Sequence, residues 1–213
     1  MKRYLRRPNV VGAIAPSSRA LAEALCEPYR RRPGPSNLLE VGAGTGAVTR
    51  HIGHLIGERD QVDICEIDAS FADILERQVL CHDDFATAVA AGRVRLLRSA
   101  VQDLPYEARY DFVISGLPMT VFDLKDVRDI FKVIRRSLKP GGVFSYFEYV
   151  GARRTTRALA MGRRRDRIRF VSAYLNRRIR DYQFERRTVL WNLLPAHARH
   201  LTFDDTDNRS DLA

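Results

Sequence analysis

The chain has 213 residues, 45% of them hydrophobic and 29% charged, which is the composition of a globular protein with one sizeable core. No apolar run reaches the roughly 18 residues that a membrane-spanning helix needs, and no apolar signal core follows the basic N-terminus. The three cysteines are widely spaced and indicate neither a disulfide framework nor a zinc site, so we expect a soluble, cytoplasmic protein without a metal.

The formal net charge of +10 is carried almost wholly by arginine. The arginines are concentrated near the N-terminus and between residues 153 and 187. Such a positive surface predicts an anionic partner, either nucleic-acid phosphates or an anionic membrane. A solvated basic face without a partner is the plainer alternative.

Residues 1–12 alternate basic and apolar side chains, which is typical of a short amphipathic element that settles on a surface. Ser17 or Ser18 then provides an N-cap for a helix with an apolar stripe. We therefore predict that residues 1–36 form a helical segment that covers the membrane or the cofactor, with a Pro- and Gly-rich linker at its end.

The apolar run 38–41 meets three closely spaced glycines, and a helical pattern follows over 45–56. Strand, glycine turn and helix in this order predict the nucleotide-binding corner of a doubly wound α/β sheet. Two cofactors fit this turn. Gly42, Gly44 and Ala47 satisfy the dinucleotide pattern G-x-G-x-x-G/A, whereas Glu40 suits a ligand with an amino group and a sulfonium better than a pyrophosphate.

Residues 61–67 predict a second strand whose end carries Glu66, placed to accept hydrogen bonds from a ribose, and Asp68, a cap for a helix over 69–81. Further strands are predicted over 94–98, 110–115, 143–149, 182–192 and 198–203. Further helices are predicted over 123–138 and 151–180, and the acidic tail 204–213 should fray.

The sequence Leu-Lys-Pro-Gly-Gly at 138–142 predicts a turn between the fourth helix and the fifth strand. This turn is typical of class I methyltransferases, which the Glu-x-Gly-x-Gly-x-Gly run at 40–46 also resembles, and it favours S-adenosylmethionine (SAM) over a dinucleotide. We therefore expect residues 37–203 to form a Rossmann-like α/β fold, a mostly parallel seven-stranded sheet with helices on both faces.

Five stretches carry a more specific resemblance, and together they span nearly the whole chain. They are 11–22 (Val-Gly-Ala-Ile-Ala-Pro-Ser-Ser-Arg-Ala-Leu-Ala), 40–46 (Glu-Val-Gly-Ala-Gly-Thr-Gly), 114–118 (Ile-Ser-Gly-Leu-Pro), 146–149 (Tyr-Phe-Glu-Tyr) and 192–196 (Asn-Leu-Leu-Pro-Ala). The chain thereby resembles the bacterial phospholipid N-methyltransferases, a family that includes soluble phosphatidylethanolamine N-methyltransferases. It departs from them at Leu194, where the family usually has the first of two prolines.

The resemblance implies SAM as the cofactor and S-adenosylhomocysteine as its product. In such enzymes the turn after the third strand holds the adenine through backbone N–H groups, although Ser99 stands here where an Asp is commoner. The implied cofactor-binding residues are Ser17, Ser18, Glu40, Gly42, Ala43, Gly44, Gly46, Glu66, Ile67, Ala100, Val101, Ser115 and Gly116.

The implied reaction is N-methylation of phosphatidylethanolamine towards phosphatidylcholine, by a monomer bound peripherally to the inner face of the cell membrane. Ser115, Tyr146 and Tyr149 are the candidate catalytic residues, as proton acceptors or as rings against a cationic headgroup. The candidate ligands of the lipid phosphate are Arg153, Arg154, Arg186 and Arg187.

An rRNA adenine N6-methyltransferase is the competing class, because it shares the glycine turn, the acid of the second strand and the positive charge. Such enzymes usually end their fourth strand with Asn or Asp, then Leu/Pro-Pro, then an aromatic residue that stacks on the flipped base. Here the corresponding positions are Gly116, Leu117, Pro118 and Met119, which supply neither the acceptor nor the ring. We therefore expect no stable nucleic-acid partner.

Overall fold

The structure is a computed structural model that describes residues 18–150, 163–192 and 194–203, without the side chains of 163–165. The predicted amphipathic element, the predicted tail and the first part of the predicted helix over 151–180 lie outside these ranges. Within them, seven strands form one sheet in the order β3-β2-β1-β4-β5-β7-β6. The strands are β1 Asn37–Val41, β2 Gln61–Cys65, β3 Val94–Leu97, β4 Tyr110–Ser115, β5 Leu138–Tyr149, β6 Gln183–Val189 and β7 Ala196–Thr202.

The sheet is mostly parallel, as predicted. Strands β1 to β5 pair in parallel, and β7 inserts antiparallel between β5 and β6. The helices are α1 Arg19–Arg30, α2 Ala47–Gly53, α3 Ala69–Gln78, α4 Asp83–Ala90, α5 Leu124–Ser137 and α6 Arg163–Tyr182.

Two apolar clusters cover the two faces of the sheet, because residues alternate between its faces along each strand. On one face α1 to α4 pack against Leu38, Ile64 and Ile114. On the other face α5 and α6 pack against Leu39, Val113 and other strand residues. Helices thus lie on both faces, which confirms the predicted doubly wound architecture.

Several boundaries differ from the prediction. Helix α4 was not predicted; it has only eight residues, and its buried side chains, Phe85 and Ala88, give too short a pattern to recognise. The Lys-Pro-Gly-Gly run lies inside β5 as an irregularity, since β4 pairs with Leu138 and next with Val143. Pro lacks the N–H that regular pairing needs, and Gly141 has a φ of +73°.

The linker between α1 and β1 is fixed by Asp60, whose side chain is almost fully buried. This carboxylate accepts hydrogen bonds from the Tyr29 hydroxyl at 2.7 Å and the Ser36 N–H at 2.8 Å, and it pairs with Arg32. Burial opposes its ionisation, but these bonds and one from the Gly57 N–H hold the pKa of Asp60 below its ordinary value. Helix α1 is thereby anchored to the start of the sheet.

The strand register brings the carboxyl ends of the central strands together. Val41 lies opposite Cys65 on one side and Ser115 on the other. The loops after β1, β2 and β4 therefore meet at one edge, where open α/β sheets bind their ligands. Among the helices of the described ranges, none combines the length and apolar character needed to cross a bilayer.

Candidate active site

The glycine turn after β1 packs directly against the turn after β4. Gly42 has a φ of +69°, and a Cβ on it would lie 2.3 Å from a methyl carbon of Leu117. A Cβ on Gly116 would lie 2.5 Å from the carbonyl oxygen of Gly42. Gly116 therefore requires glycine, because a side chain would press on the Gly42 backbone, and Gly42 is favoured by its left-handed φ and by the Leu117 side chain against it. By contrast, a Cβ on Gly44 would meet open space, which leaves room for a ligand beside the turn.

Glu66 follows β2 and holds the glycine turn. Its carboxylate accepts a hydrogen bond from the Gly44 N–H at 2.8 Å with one oxygen and from the Asp68 N–H at 2.8 Å with the other. Each carboxylate oxygen can accept a further bond, so donors from a ribose can still be accommodated. Asp68 caps α3 through the N–H groups of Ser70 and Phe71, as predicted.

Glu40 is fully buried in β1, two residues before Gly42. One carboxylate oxygen accepts the Thr49 hydroxyl at 2.8 Å, and the other accepts no hydrogen bond within the described ranges. Burial raises the pKa of Glu40 to about 8; the bond from Thr49 lowers it, and the negative charge of Glu66 raises it. An unsatisfied buried acceptor beside the glycine turn fits a cofactor that brings a cationic or N–H group.

The turn after β3 presents backbone donors on the other side of Glu66. Residues Val101–Asp103 form one 3₁₀ turn, and the N–H groups of Ala100 and Val101 bond to no other described residue. The Cys65 thiol donates to the carbonyl of Ser99 at 3.1 Å, and burial raises the pKa of Cys65 to about 12, so the thiol keeps its proton. The Cys65–Ser99 bond therefore fixes the turn where an Asp is commoner.

Two predicted cofactor residues flank these turns. Ile67 follows β2 and is 51% exposed, an apolar surface next to Glu66. Ala43 is buried within the glycine turn, and its carbonyl accepts the Gly46 N–H at 3.0 Å. Ile67 is thus open to a ligand, whereas Ala43 is enclosed in the turn, and a cofactor role for either stays a prediction.

Ser115 ends β4 and is fully buried. Its hydroxyl oxygen accepts the Leu117 N–H at 3.2 Å, and the next N–H, that of Gly116, bonds to the Val41 carbonyl at 2.9 Å. Met119 is 1% exposed and packs in the cluster under α5 and α6. The Ser-Gly-Leu-Pro run therefore joins β1 to β4 and places a hydroxyl at the strand end.

The two candidate tyrosines lie on opposite faces of the sheet. Tyr146 is fully buried, and its ring contacts Phe131 and Phe144 with centroid distances of 6.0 and 5.3 Å. Tyr149 packs instead on the α1 face, edge to face with Phe147 at 5.2 Å, and is only partly buried. Burial raises the pKa of Tyr149, so its phenol stays neutral at pH 7. These two rings cannot enclose one headgroup together.

Ser18 joins the N-terminal segment to the C-terminal hairpin, while Ser17 lies outside the described ranges. The Ser18 side chain caps α1 by accepting the Leu21 N–H at 3.2 Å. Its own N–H donates to the Asn192 side-chain oxygen at 2.9 Å. The opening stretch and the Asn-Leu-Leu-Pro-Ala stretch therefore meet at the same edge of the sheet.

The candidate arginines separate into three groups. Arg153 and Arg154 lie outside the described residues. Arg187 is paired with Glu185 at 2.9 Å and Glu27 at 3.2 Å. Arg186 points to the other face of β6, is exposed, and forms no ion pair within the described ranges.

Sequence reasoning missed a buried ion pair on the α5–α6 face. Arg199 of β7 donates to Glu148 of β5 at 2.6 Å, and burial lowers the pKa of Arg199. In the strand register Ser115, Tyr146 and Arg199 lie side by side across the sheet. The sequence indicated this pair only through Glu148, an acid within the apolar Tyr-Phe-Glu-Tyr strand. Its partner Arg199 could not be predicted, because no local pattern shows that β7 lies between β5 and β6.

Comparisons with known proteins agree with this geometry. A protein-family profile described as a methyltransferase domain matches residues 38–142. An ornithine lipid N-methyltransferase of Singulisphaera acidiphila is 31% identical over 145 residues, which cover 67% of this chain and 72% of that protein. A tRNA1(Val) (adenine(37)-N6)-methyltransferase of Pedobacter heparinus is 32% identical over 91 residues, 43% of this chain and 36% of that one.

A solved structure shows the same fold. The Burkholderia thailandensis 1,6-didemethyltoxoflavin-N1-methyltransferase, with bound 1,6-didemethyltoxoflavin and S-adenosylhomocysteine, aligns with a TM-score of 0.58 at 17% identity, over 86% of this chain and 77% of that one. The chain therefore belongs to the class I SAM-dependent methyltransferases. Its cofactor is SAM, which fits the open space at Gly44 and the Glu40 oxygen and the Ala100 and Val101 N–H groups that have no partner among the described residues.

Proposed function

We propose that the protein N-methylates the amine headgroup of a membrane phospholipid, converting phosphatidylethanolamine towards phosphatidylcholine. It acts as a monomer bound peripherally to the inner face of the cell membrane. The observation that carries the proposal is the similarity to a lipid amine N-methyltransferase over 72% of that protein's length. The five stretches that resemble phospholipid N-methyltransferases support the choice of phosphatidylethanolamine.

The chain's own residues would hold the cofactor at the edge formed by β1, β2 and β4. Glu66 would accept the ribose hydroxyls, and the N–H groups of Ala100 and Val101 would bind the adenine, with Ile67 against its ring. The buried oxygen of Glu40 would accept from the amino end. SAM, when bound, supplies an activated methyl group, so the protein's task is to position the acceptor amine.

The acceptor amine has to be neutral to act as a nucleophile, yet an alkylamine is mostly protonated at pH 7. A site closed to water disfavours the ammonium form, and a nearby hydrogen-bond acceptor orients the neutral amine. Ser115 and the Gly116 carbonyl are the acceptors that end β4. Both are neutral groups that can accept a hydrogen bond from the amine but cannot hold its proton, so the ammonium proton leaves to solvent before methyl transfer. The Ser115 oxygen also accepts the Leu117 N–H, which fixes its orientation.

Tyr149 is the better placed of the two tyrosines to contact the headgroup. It is partly exposed at the last position of β5, whereas Tyr146 is fully enclosed by Phe131 and Phe144. An aromatic face attracts an ammonium more strongly as methyl groups are added and water is excluded. Tyr149 would therefore bind the headgroup cation, and Tyr146 would pack behind Ser115.

Methyl transfer from radiolabelled SAM tests the proposal. The protein is incubated with vesicles that contain phosphatidylethanolamine and anionic lipid, with matched vesicles that contain ornithine lipid, and with unmodified ribosomal RNA. We expect label in phosphatidylethanolamine, lost in Gly116→Ala because its Cβ would displace the glycine turn. Label confined to ornithine lipid would show that the substrate is ornithine lipid and not phosphatidylethanolamine. Label confined to RNA would overturn the proposal.

A further inference from the structure

The tip of the β6–β7 hairpin exposes large apolar side chains. Trp191 is 89% exposed, Leu190 68% and Leu194 55%. Trp191 is also the only tryptophan in the chain. Isolated apolar side chains are common on protein surfaces, but a cluster of this size in one turn marks an interaction surface.

The tip projects past the edge of the sheet where the active site lies. Val189 pairs with Ala196, which in turn lies opposite Tyr149, the last residue of β5. The end of β4, Ser115, lies opposite Tyr146, three positions earlier. At about 3.3 Å per residue, the hairpin therefore extends roughly 10 Å beyond the ends of the central strands. Whatever surface the tip contacts also faces the site.

Internal hydrogen bonds hold the turn in place. The Asn192 side chain donates to the Leu194 carbonyl at 2.8 Å and accepts the Ser18 N–H at 2.9 Å. The Pro195 carbonyl accepts the Val150 N–H at 2.7 Å. Because these polar groups are already paired, the turn can enter a weakly polar environment with less loss of hydration.

The sequence that continues from the strand beside the tip is rich in arginine. Residues 151–165, which directly follow Val150 in the sequence, contain six arginines and no acid. Arg19 follows Ser18 at the start of α1; its side chain is 89% exposed and pairs with Glu23 at 2.9 Å, an exposed pair that a lipid phosphate can compete with. An apolar tip beside the start of an arginine-rich sequence complements the headgroup region of an anionic bilayer, where tryptophan is favoured and arginine meets lipid phosphate.

We infer that Leu190, Trp191 and Leu194 insert into the interface of an anionic lipid bilayer and orient the active site towards the headgroups. The lipid's role as substrate rests on the proposed function, whereas insertion can be measured independently of it. The hairpin acts as a shallow anchor: Trp191 lies at the headgroup level, and the two leucines reach the upper acyl chains.

The fluorescence of Trp191 measures the insertion of the tip directly, because Trp191 is the only tryptophan in the sequence. The full-length protein is titrated with vesicles of phosphatidylglycerol, phosphatidylcholine and phosphatidylethanolamine. We expect a blue shift of the emission, with quenching by lipids brominated near the headgroup end of their acyl chains. An unchanged emission from protein that co-sediments with the vesicles would overturn the inference. So would an emission already blue-shifted without lipid, since another part of the chain or a second copy would then cover Trp191.

A pair of variants distinguishes insertion of the tip from non-specific adsorption through exposed apolar side chains. Trp191→Ser should weaken vesicle binding about tenfold or more, because it removes a large interfacial apolar surface. Phe184→Ser is the matched control: Phe184 is 55% exposed but lies at the opposite end of β6, and we expect less than about a twofold change from its loss. Equal losses in both variants would contradict the inference. Thermal unfolding checks that both remain folded.

Activity then distinguishes this inference from the proposed function. With short-chain phosphatidylethanolamine below its micelle concentration, Trp191→Ser should retain wild-type methyl transfer, and it should lose activity only on vesicles. A loss on both substrates would contradict an anchoring role. If the wild-type protein methylates no lipid, the proposed function fails, and the fluorescence result still decides whether the tip inserts.

Discussion

Glu40 and Glu66 are two buried acids at the same corner that differ in how their charge is supported. Glu66 accepts a backbone N–H with each oxygen, whereas Glu40 accepts one hydroxyl and leaves one oxygen without a partner in the described ranges. Burial therefore dominates at Glu40 and raises its pKa to about 8. We interpret Glu40 as an acid whose ionised form is fully stabilised only when a donor group of the cofactor reaches it.

This shift predicts a pH dependence of stability. Below pH 4.5, the ordinary pKa, Glu40 is protonated in both the folded and the unfolded state. Between pH 4.5 and about 8 only the unfolded state releases the proton, so the contribution of Glu40 to the free energy of unfolding falls as pH rises. Between pH 5.5 and pH 8 the wild type should lose on the order of 1–3 kcal/mol of stability through Glu40. Glu40→Gln cannot ionise and should not show this loss.

Urea unfolding of the cofactor-free protein at several pH values measures this effect. Glu76→Gln is a suitable control, since Glu76 is an exposed acid paired with Arg98 on the surface. Equal pH dependence in wild type and Glu40→Gln would show that Glu40 ionises normally in the folded protein.

Tyr149 gives a second prediction at the scale of single residues. If its ring binds the headgroup cation, Tyr149→Phe should keep activity, whereas Tyr149→Ala should raise KM for the lipid up to about tenfold. Affinity for S-adenosylhomocysteine, measured by calorimetry, should be unchanged in both. Loss of activity in Tyr149→Phe with unchanged KM would instead assign the role to the hydroxyl.

At the scale of elements, the turns that form the expected cofactor-binding edge could be predicted from the sequence. The glycine turn, Glu66 and the end of β4 are local signals, and parallel strands bring their carboxyl ends together wherever the fold is doubly wound. The opposite placement of Tyr146 and Tyr149 was also readable, because residues three apart in a strand point to opposite faces. This odd spacing argues against the expectation that both rings contact one headgroup.

The substrate half could not be predicted from local patterns. Arg187 is paired with Glu27 of α1, and Arg199 with Glu148 of β5, across 160 and 51 residues of sequence. Both pairs depend on β7 inserting between β5 and β6, which no local signal in the sequence indicates. The same insertion brings Asn192 to Ser18 and creates the projecting hairpin.

Asn192 provides a prediction about the coupling of these elements. Asn192→Ala removes the acceptor for the Ser18 N–H and the donor to the Leu194 carbonyl, so we expect a loss of about 1–2 kcal/mol in stability. Hydrogen exchange of the first turn of α1 should also speed up. Asn192→Asp keeps an acceptor for Ser18 and should show slower exchange there than Asn192→Ala. Identical exchange in all three proteins would mean that this bond does not hold α1.

For the whole molecule, the net charge of +10 is not evenly distributed: some arginines pair with acids, and others stand in a stretch without acids. Around Glu27, three arginines pair with one carboxylate: Arg30 and Arg31 from the end of α1, and Arg187 from β6. The sequence 151–165, which holds six arginines and no acid, directly follows the end of β5 in the chain. We therefore expect the arginines of 151–165 to contribute most of the attraction to an anionic membrane.

This charge distribution predicts a salt-dependent membrane affinity. Raising the ionic strength from about 0.05 M to 0.5 M shortens the range of electrostatic attraction several-fold, so binding to anionic vesicles should weaken markedly. Binding to neutral vesicles should be weak at every salt concentration. Co-sedimentation measures both, and an affinity for anionic vesicles that does not change with salt would contradict the electrostatic contribution.

The most direct test of the central claim is the site of methylation in the lipid product. Tandem mass spectrometry of phosphatidylethanolamine vesicles, after incubation with the protein and SAM, locates any added methyl group. We predict methyl groups on the headgroup nitrogen, absent from reactions with Gly116→Ala. Methyl groups on RNA bases, with phosphatidylethanolamine unchanged in a parallel reaction, would contradict the assignment of this SAM-dependent methyltransferase to lipid.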